Sequence, residues 1–311
     1  MAPTTRRVSE AAASAAASGP CRLLALSDDV VSVVAHELCD PLRPLLAVNL
    51  SSTAKGLRAA MQSALAELQL QRVAAEALAA LCRLSLVQLR DATQLVFGQA
   101  YRMPLSLAHW RTLGTLVGCR SLPRLERLYI RGADNGGQGV ALLAAGLRRR
   151  ESSLINLTLV GTQIEDEGAV ALASGLTERA LPALKDLDLE GNRLGDAGLA
   201  ALAPALRQLP GLAVLSLDHN QIGDRGVASL LAEPLQDALP SLHTLWLHDN
   251  LITDRGCAGL AAKLCTGAPP ELRRLSVSGN PASEEAQKAL LAIRRLDRDV
   301  WENIDRDLRD I

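Results

Sequence analysis

The chain has 311 residues, 33 Lys and Arg against 34 Asp and Glu, a formal net charge of -1, and 48% hydrophobic but only 2% aromatic residues. That balance excludes a general nucleic-acid or polybasic membrane surface, because phosphate binding needs a concentrated positive face. Leucine makes up about a fifth of the chain, which points to a repeating core of aliphatic side chains rather than an ordinary mixed one.

Residues 1–20 are Ala/Ser-rich with no strongly apolar stretch. They read as a solvated tail, and the arginines among Ala, Ser and Thr leave an organellar transit peptide as the other reading. No apolar run approaches the roughly 18 residues of a membrane span. Cys21, Cys39, Cys82, Cys119, Cys257 and Cys265 are widely spaced and form no CxxC pair, so they read as reduced thiols of a cytoplasmic or nuclear protein.

Residues 21–91 lack any long repeat, and their apolar spacing predicts a helical module. Within it, LSDDVVSVVAHELCDPLRPLLAVNLSSTAKGLR resembles an F-box, through Leu26, Asp28, Asp29, Val30, Val34, Leu38, Pro41, Leu45, Val48, Ser51, Lys55 and Leu57. Ser27 stands where that family has proline, and no Trp follows Lys55. The resemblance implies docking on the Skp-type adaptor of a cullin ubiquitin ligase, with Leu26, Asp28, Asp29, Val30, Leu38, Pro41 and Leu45 as contacts. The alternative reading of the same helices is a cap over the first apolar rung of a repeat stack.

From Leu125 onward an LxxLxL-type pattern recurs at Leu154, Leu184, Leu212, Leu242 and Leu272, at intervals of 28 to 30 residues. A fixed period of this length is the mark of a solenoid. Each unit opens with alternating leucines, which as a strand place one apolar face inward. Next in each unit stand Asn192, Asn220, Asn250 and Asn280, with side chains able to bridge the backbones of neighbouring turns. Then come Ile164, Leu194, Ile222 and Ile252, and Asp166, Asp196, Asp224 and Asp254, each with Gly two positions on. Asp there is expected to cap a starting helix and Gly to admit the next backbone. Leu172, Leu202, Leu230 and Leu260 lie four residues further, within Ala-rich helical stretches.

These positions resemble the ribonuclease-inhibitor type of leucine-rich repeat. The expected fold is α/β, a curved horseshoe with a parallel inner sheet and outer helices, spanning 92–296 after the small all-helical module. Six units are clear from 125. A degenerate one before them places Leu95 and Phe97 inside. Ala133, Gly137 and Thr162 depart from the pattern, so the first two clear rungs are expected to be less regular. Residues 297–311 are charged, as expected of a helical terminal cap.

Strand residues between the leucines face the concave side. They include Tyr129, Arg131, Asp186, Asp188, Glu190, Asp218, Trp246 and His248, with Asp249 close by. Acidic residues gather in the middle, while Arg124, Arg127 and Arg131 lie at one end and Arg273 and Arg274 at the other. A Trp in that setting is a rigid anchor of the kind that dominates protein interfaces. The expected partner is a protein with a basic patch, bound by a monomer without nucleic acid or membrane.

No nucleophile–base arrangement and no phosphate loop is visible, so neither an enzyme nor a cofactor is expected. His243 and His248 lie near Asp249, but their odd spacing sends them to opposite local positions, and no metal site is expected of them. The expected function is a non-catalytic interaction scaffold, serving as a ubiquitin-ligase substrate receptor if the F-box resemblance holds. The alternative is a Ran-GAP-like activator of a small GTPase, since those proteins share the repeat type.

Overall fold

The alternating leucines form strands in a computed structural model that describes residues 62–98, 105–119, 121–133, 135–149, 151–232, 239–266 and 269–293. Among these residues the order is α1 (Gln62–Leu81), α2 (Leu86–Asp91), β1 (Gln94–Phe97), α3 (Leu107–Gly118), β2 (Arg127–Arg131), α4 (Gly136–Leu147), β3 (Asn156–Val160), α5 (Asp166–Ala173), β4 (Asp186–Asp188), α6 (Asp196–Leu206), β5 (Val214–Ser216), α7 (Asp224–Leu230), β6 (Thr244–Trp246), α8 (Asp254–Cys265), β7 (Arg274–Ser276) and α9 (Glu284–Leu291). The seven strands form one sheet in chain order, and every neighbouring pair is parallel.

Register and burial explain why the stack holds. Leu128, Leu157, Leu187, Leu215 and Leu245 are mutual register partners and are fully buried. Leu172, Leu202 and Leu230 from the helices are equally buried and close the same core. Each such leucine contributes roughly 1.5–3 kcal/mol relative to exposure. Strands stack about 4.8 Å apart while helices need about 10 Å, so the helix layer lies on the outside of a curve. The sheet's polar side therefore becomes the concave face.

β1 supplies the rung expected before the clear repeats, with Leu95 and Phe97 buried and paired with β2. On the helix side, α1 packs on α3 and buries Ala75, Leu78 and Ala79. The F-box-like residues, the Ala/Ser-rich tail and the C-terminal stretch 297–311 lie outside the described residues.

The asparagines form the expected ladder. Asn220 is a representative rung: its Oδ1 accepts Leu194 N at 3.0 Å, and its Nδ2 donates to Leu189 O, Leu217 O and Asp218 O at 3.0, 3.1 and 3.0 Å. Thr162 stands in where Asn is missing, donating from Oγ1 to Leu159 O at 3.2 Å.

Two expectations are corrected. The repeated aspartates do not cap their own helices: α5, α6 and α7 have no side-chain cap bond. Asp166 instead accepts Gly195 N at 2.8 Å, Asp224 accepts Thr253 N at 2.9 Å, and Asp254 accepts Ser283 N at 2.6 Å, each at the N-cap of the following helix. The carboxylate sits at the first helical position, where its own amides are behind it and those of the next repeat lie ahead. Second, the departures at Ala133 and Thr162 do not shorten their strands. β2 and β3 pair over five residues, longer than the three-residue strands after them. In the later rungs the ladder asparagine takes the carbonyl that the strand would use next: Asn192 Nδ2 donates to Leu159 O at 2.7 Å and Asn280 Nδ2 to Leu247 O at 2.8 Å, and Asp188 and Asp218 accept Glu190 N and His248 N besides.

Candidate functional site

Parallel in-register pairing turns equivalent repeat positions into rows across the concave face. The central row runs Val96, Tyr129, Thr158, Asp188, Ser216, Trp246, Ser276. The row on its N-terminal side runs Gln94, Arg127, Asn156, Asp186, Val214, Thr244, Arg274. On the other side Arg131 pairs with Val160, and Glu190, Asp218 and His248 occupy the equivalent places further on. The acids are thus brought together on and just after β4 and β5, with Arg127 and Arg131 to one side and Arg274 to the other. Asp188 and Trp246 are two strands apart, about 10 Å.

Tyr129, Arg131, Asp186, Asp188, Glu190, Asp218, Trp246, His248 and Asp249 are all half-buried. The floor between them is small and polar: Thr158, Ser216, Thr244 and Ser276 are buried. Trp246 therefore rises from a shallow hydroxyl-lined bed with part of its indole open to a partner.

Burial makes the acidic centre reluctant to hold charge. The Asp188 carboxyl is pushed up to about 6, chiefly by desolvation; Glu190 N and the Ser216 hydroxyl donate to it and oppose the rise, while Glu190 and Asp186 repel it upward. Asp218 is likewise pushed up to about 6 by desolvation, opposed first by the bond from His248 N. Burial also raises Asp186, partly offset by Asn156, whose Nδ2 donates at 3.0 Å. The buried carboxylates accept bonds from neutral groups, and a cation from outside would favour their charged forms.

His243 and His248 do not come together around Asp249. His243 is exposed, with Nδ1 2.8 Å from Thr244 Oγ1. His219, from the preceding repeat, takes its place: Nδ1 lies 3.1 Å from Asp249 Oδ2, and His248 Nε2 lies 3.0 Å from the same oxygen. Sequence reasoning missed His219, although a signal existed. The residue before each ladder position is Gly132, Gly161, Gly191, His219, Asp249 and Gly279, and the structure holds all six at positive φ. Two adjacent repeats thus replace the residue best suited to that backbone with a side chain that can act as a ligand.

Among the described residues no helix is long and apolar enough to cross a membrane. Cys82, Cys119, Cys257 and Cys265 take part in no disulfide.

A leucine-rich-repeat family model matches residues 152–173, 181–203 and 212–231. Over 102 residues the chain is 34% identical to the ribonuclease inhibitor of Sus scrofa, a stretch that covers 33% of this chain and 22% of that protein. Among solved structures, an internalin from Listeria monocytogenes is 18% identical at a TM-score of 0.35, covering 71% of this chain and 62% of that one. The BIR3–SERK2 complex from Arabidopsis thaliana is 23% identical at a TM-score of 0.24, covering 41% and 56%. Matched repeats, buried leucine rungs, an asparagine ladder and a parallel sheet in chain order together give the described residues the fold of a leucine-rich-repeat solenoid.

Proposed function

We propose that the protein is a non-catalytic interaction scaffold whose concave face binds a protein through a basic patch. The observation that carries this reading is the row Asp188, Ser216, Trp246, which sets a half-buried carboxylate about 10 Å from a half-buried indole with the small Ser216 between them. An incoming Arg or Lys supplies a positive charge opposite Asp188 and Asp218, and the indole offers a large rigid contact. The Sus scrofa relative is an inhibitor of ribonuclease, and a protein partner for this chain is in keeping with that likeness.

The finer reading is a substrate receptor. Leu26, Asp28, Asp29, Val30, Leu38, Pro41 and Leu45 would dock on a Skp-type adaptor and so on a cullin, while the concave face selects the substrate. The order of an F-box-like segment before a repeat stack supports it. The test is affinity purification of the full chain beside Val30→Asp and Leu45→Asp variants, with quantitative mass spectrometry. Adaptor and cullin should accompany the wild type and be lost from both variants, while proteins held by the concave face are retained. If wild type captures no cullin, the N-terminal helices serve only as a cap and the receptor reading fails, leaving the scaffold reading to stand on its concave face.

A further inference from the structure

We propose that His219, His248 and Asp249 form a binding site for a divalent transition metal of the zinc class, at the edge of the concave face where two adjacent repeats leave the sheet. One ligand atom from each residue can be chosen so that all three lie within 4.8 Å of one another. Tetrahedral zinc with bonds of about 2.0–2.1 Å needs ligand atoms roughly 3.3 Å apart. The two closest pairs, His219 Nδ1 to Asp249 Oδ2 at 3.1 Å and His248 Nε2 to the same oxygen at 3.0 Å, are within a few tenths of that. The imidazoles meet edge to face, with ring centres 5.2 Å apart.

The supporting contacts orient the ligands. His248 Nδ1 faces Ser278 O at 3.0 Å and Ser278 Oγ at 2.7 Å. Without a metal, the 3.0 Å contact to Asp249 Oδ2 is one that a proton on Nε2 makes. A carbonyl only accepts, so when Nε2 ligates a metal Ser278 O can take the proton on Nδ1. This is the outer-shell arrangement that fixes metal-ligating histidines. Backbone bonds hold the other two: His219 N donates to His248 O at 2.9 Å, and Asp249 N donates to Ser278 O at 2.9 Å. His219 and Asp249 stand at φ +53° and +48°, where the equivalent Gly132, Gly161, Gly191 and Gly279 have φ between +59° and +69°. Asp and His are among the non-glycine residues that this backbone tolerates best, and here both present a metal-ligating side chain.

The side chains are 38–48% exposed. A metal held by three protein ligands at such a site keeps its fourth position open to water or to a side chain of a bound protein. Metal binding by these three residues does not depend on the scaffold reading.

The test is isothermal titration of the metal-free full chain with Zn²⁺, with Co²⁺ absorption as the readout of tetrahedral geometry. Wild type should bind one equivalent through this site, and His219→Gly, His248→Ala and Asp249→Gly should each weaken it at least tenfold. The two glycine variants restore the residue four other repeats use, so circular dichroism and the urea midpoint should show them folded. The proposal is overturned if wild type shows no stoichiometric binding. It is equally overturned if folded His219→Gly and His248→Ala bind as tightly as wild type, which would place the metal on the cysteines or elsewhere.

Discussion

The Asp196 carboxylate caps a helix that is not its own: its Oδ1 accepts the amides of Gly223 and Gly226, each at 2.7 Å, across the gap to the next repeat. Gly223 is the N-cap of α7 and has no side chain to do this itself. A Cβ at Gly226 would lie 2.7 Å from that oxygen and 3.1 Å from Asp196 Cα. Asp196→Ala should therefore cost about 2–3 kcal/mol, as two charge-assisted bonds are lost. Gly226→Ala should cost about 1–3 kcal/mol by crowding. The double variant should lose less than the sum, because removing the carboxylate makes room for the methyl. Urea denaturation of the four proteins reads the coupling, and strict additivity would show that the two residues do not meet.

Asn220→Ala should destabilise far more than its surface neighbour. Its side chain satisfies one amide and three carbonyls, and is 7% exposed. Leaving several of these groups dry costs on the order of 3 kcal/mol or more. Gln221→Ala, one residue away and exposed, should stay within about 0.5 kcal/mol of wild type. Equal shifts in urea midpoint would deny the ladder its bridging role.

Stability should rise as pH falls from 7 toward 5, and Asp188 should supply part of the rise. Its carboxyl titrates near 6 in the folded protein against an ordinary 3.8, so between those values the folded state binds more protons than the unfolded one. Its destabilising effect is fully present above pH 6 and fades as pH drops through the folded value toward 3.8. Asp186 on its own strand and Asp218 beyond β5 are raised by burial too, and Glu190 faces the same patch. The residue's own share is therefore the difference between wild type and Asp188→Asn. The variant should gain less stability from pH 7 to 5, and an identical gain would place that titration elsewhere.

The elements most legible in the sequence were those in which one residue type at one spacing has a single physical use. Buried Leu187 and Leu215 follow from alternation, the Asn220 ladder from a side chain that both donates and accepts, and the rung through Leu95 and Phe97 from the same period. The direction of the Asp196 bond was not legible, because a carboxylate at a helix start suits its own amides and the next repeat's equally well in sequence terms. Nor was the length of β2 and β3: divergence from the pattern suggested weaker rungs, whereas Thr162 in place of the ladder Asn leaves the next strand carbonyl to the backbone and lets the pairing run on. For the candidate site, the rows could be read from strand alternation once register was assumed. The joining of His219 to His248 and Asp249 could not be read from spacing along one strand, because those groups meet across rungs about 30 residues apart, through backbone at positive φ.

Salt should separate the two components of partner binding. Complexes held by Asp188 and Asp218 should weaken several-fold as ionic strength rises, chiefly through slower association. The part held by Trp246 should not follow salt. A wild-type affinity that does not change with ionic strength would remove the basic-patch partner from the account.

The most direct test of the central claim is quantitative capture of cellular proteins by the full chain, comparing wild type with Trp246→Ala, with Asp188→Ala combined with Asp218→Ala, and with Val170→Ala on the exposed outer side of α5. The account predicts a shared set of proteins bound by wild type and Val170→Ala and lost from both concave variants while these remain folded. An unchanged set in the folded concave variants would contradict it.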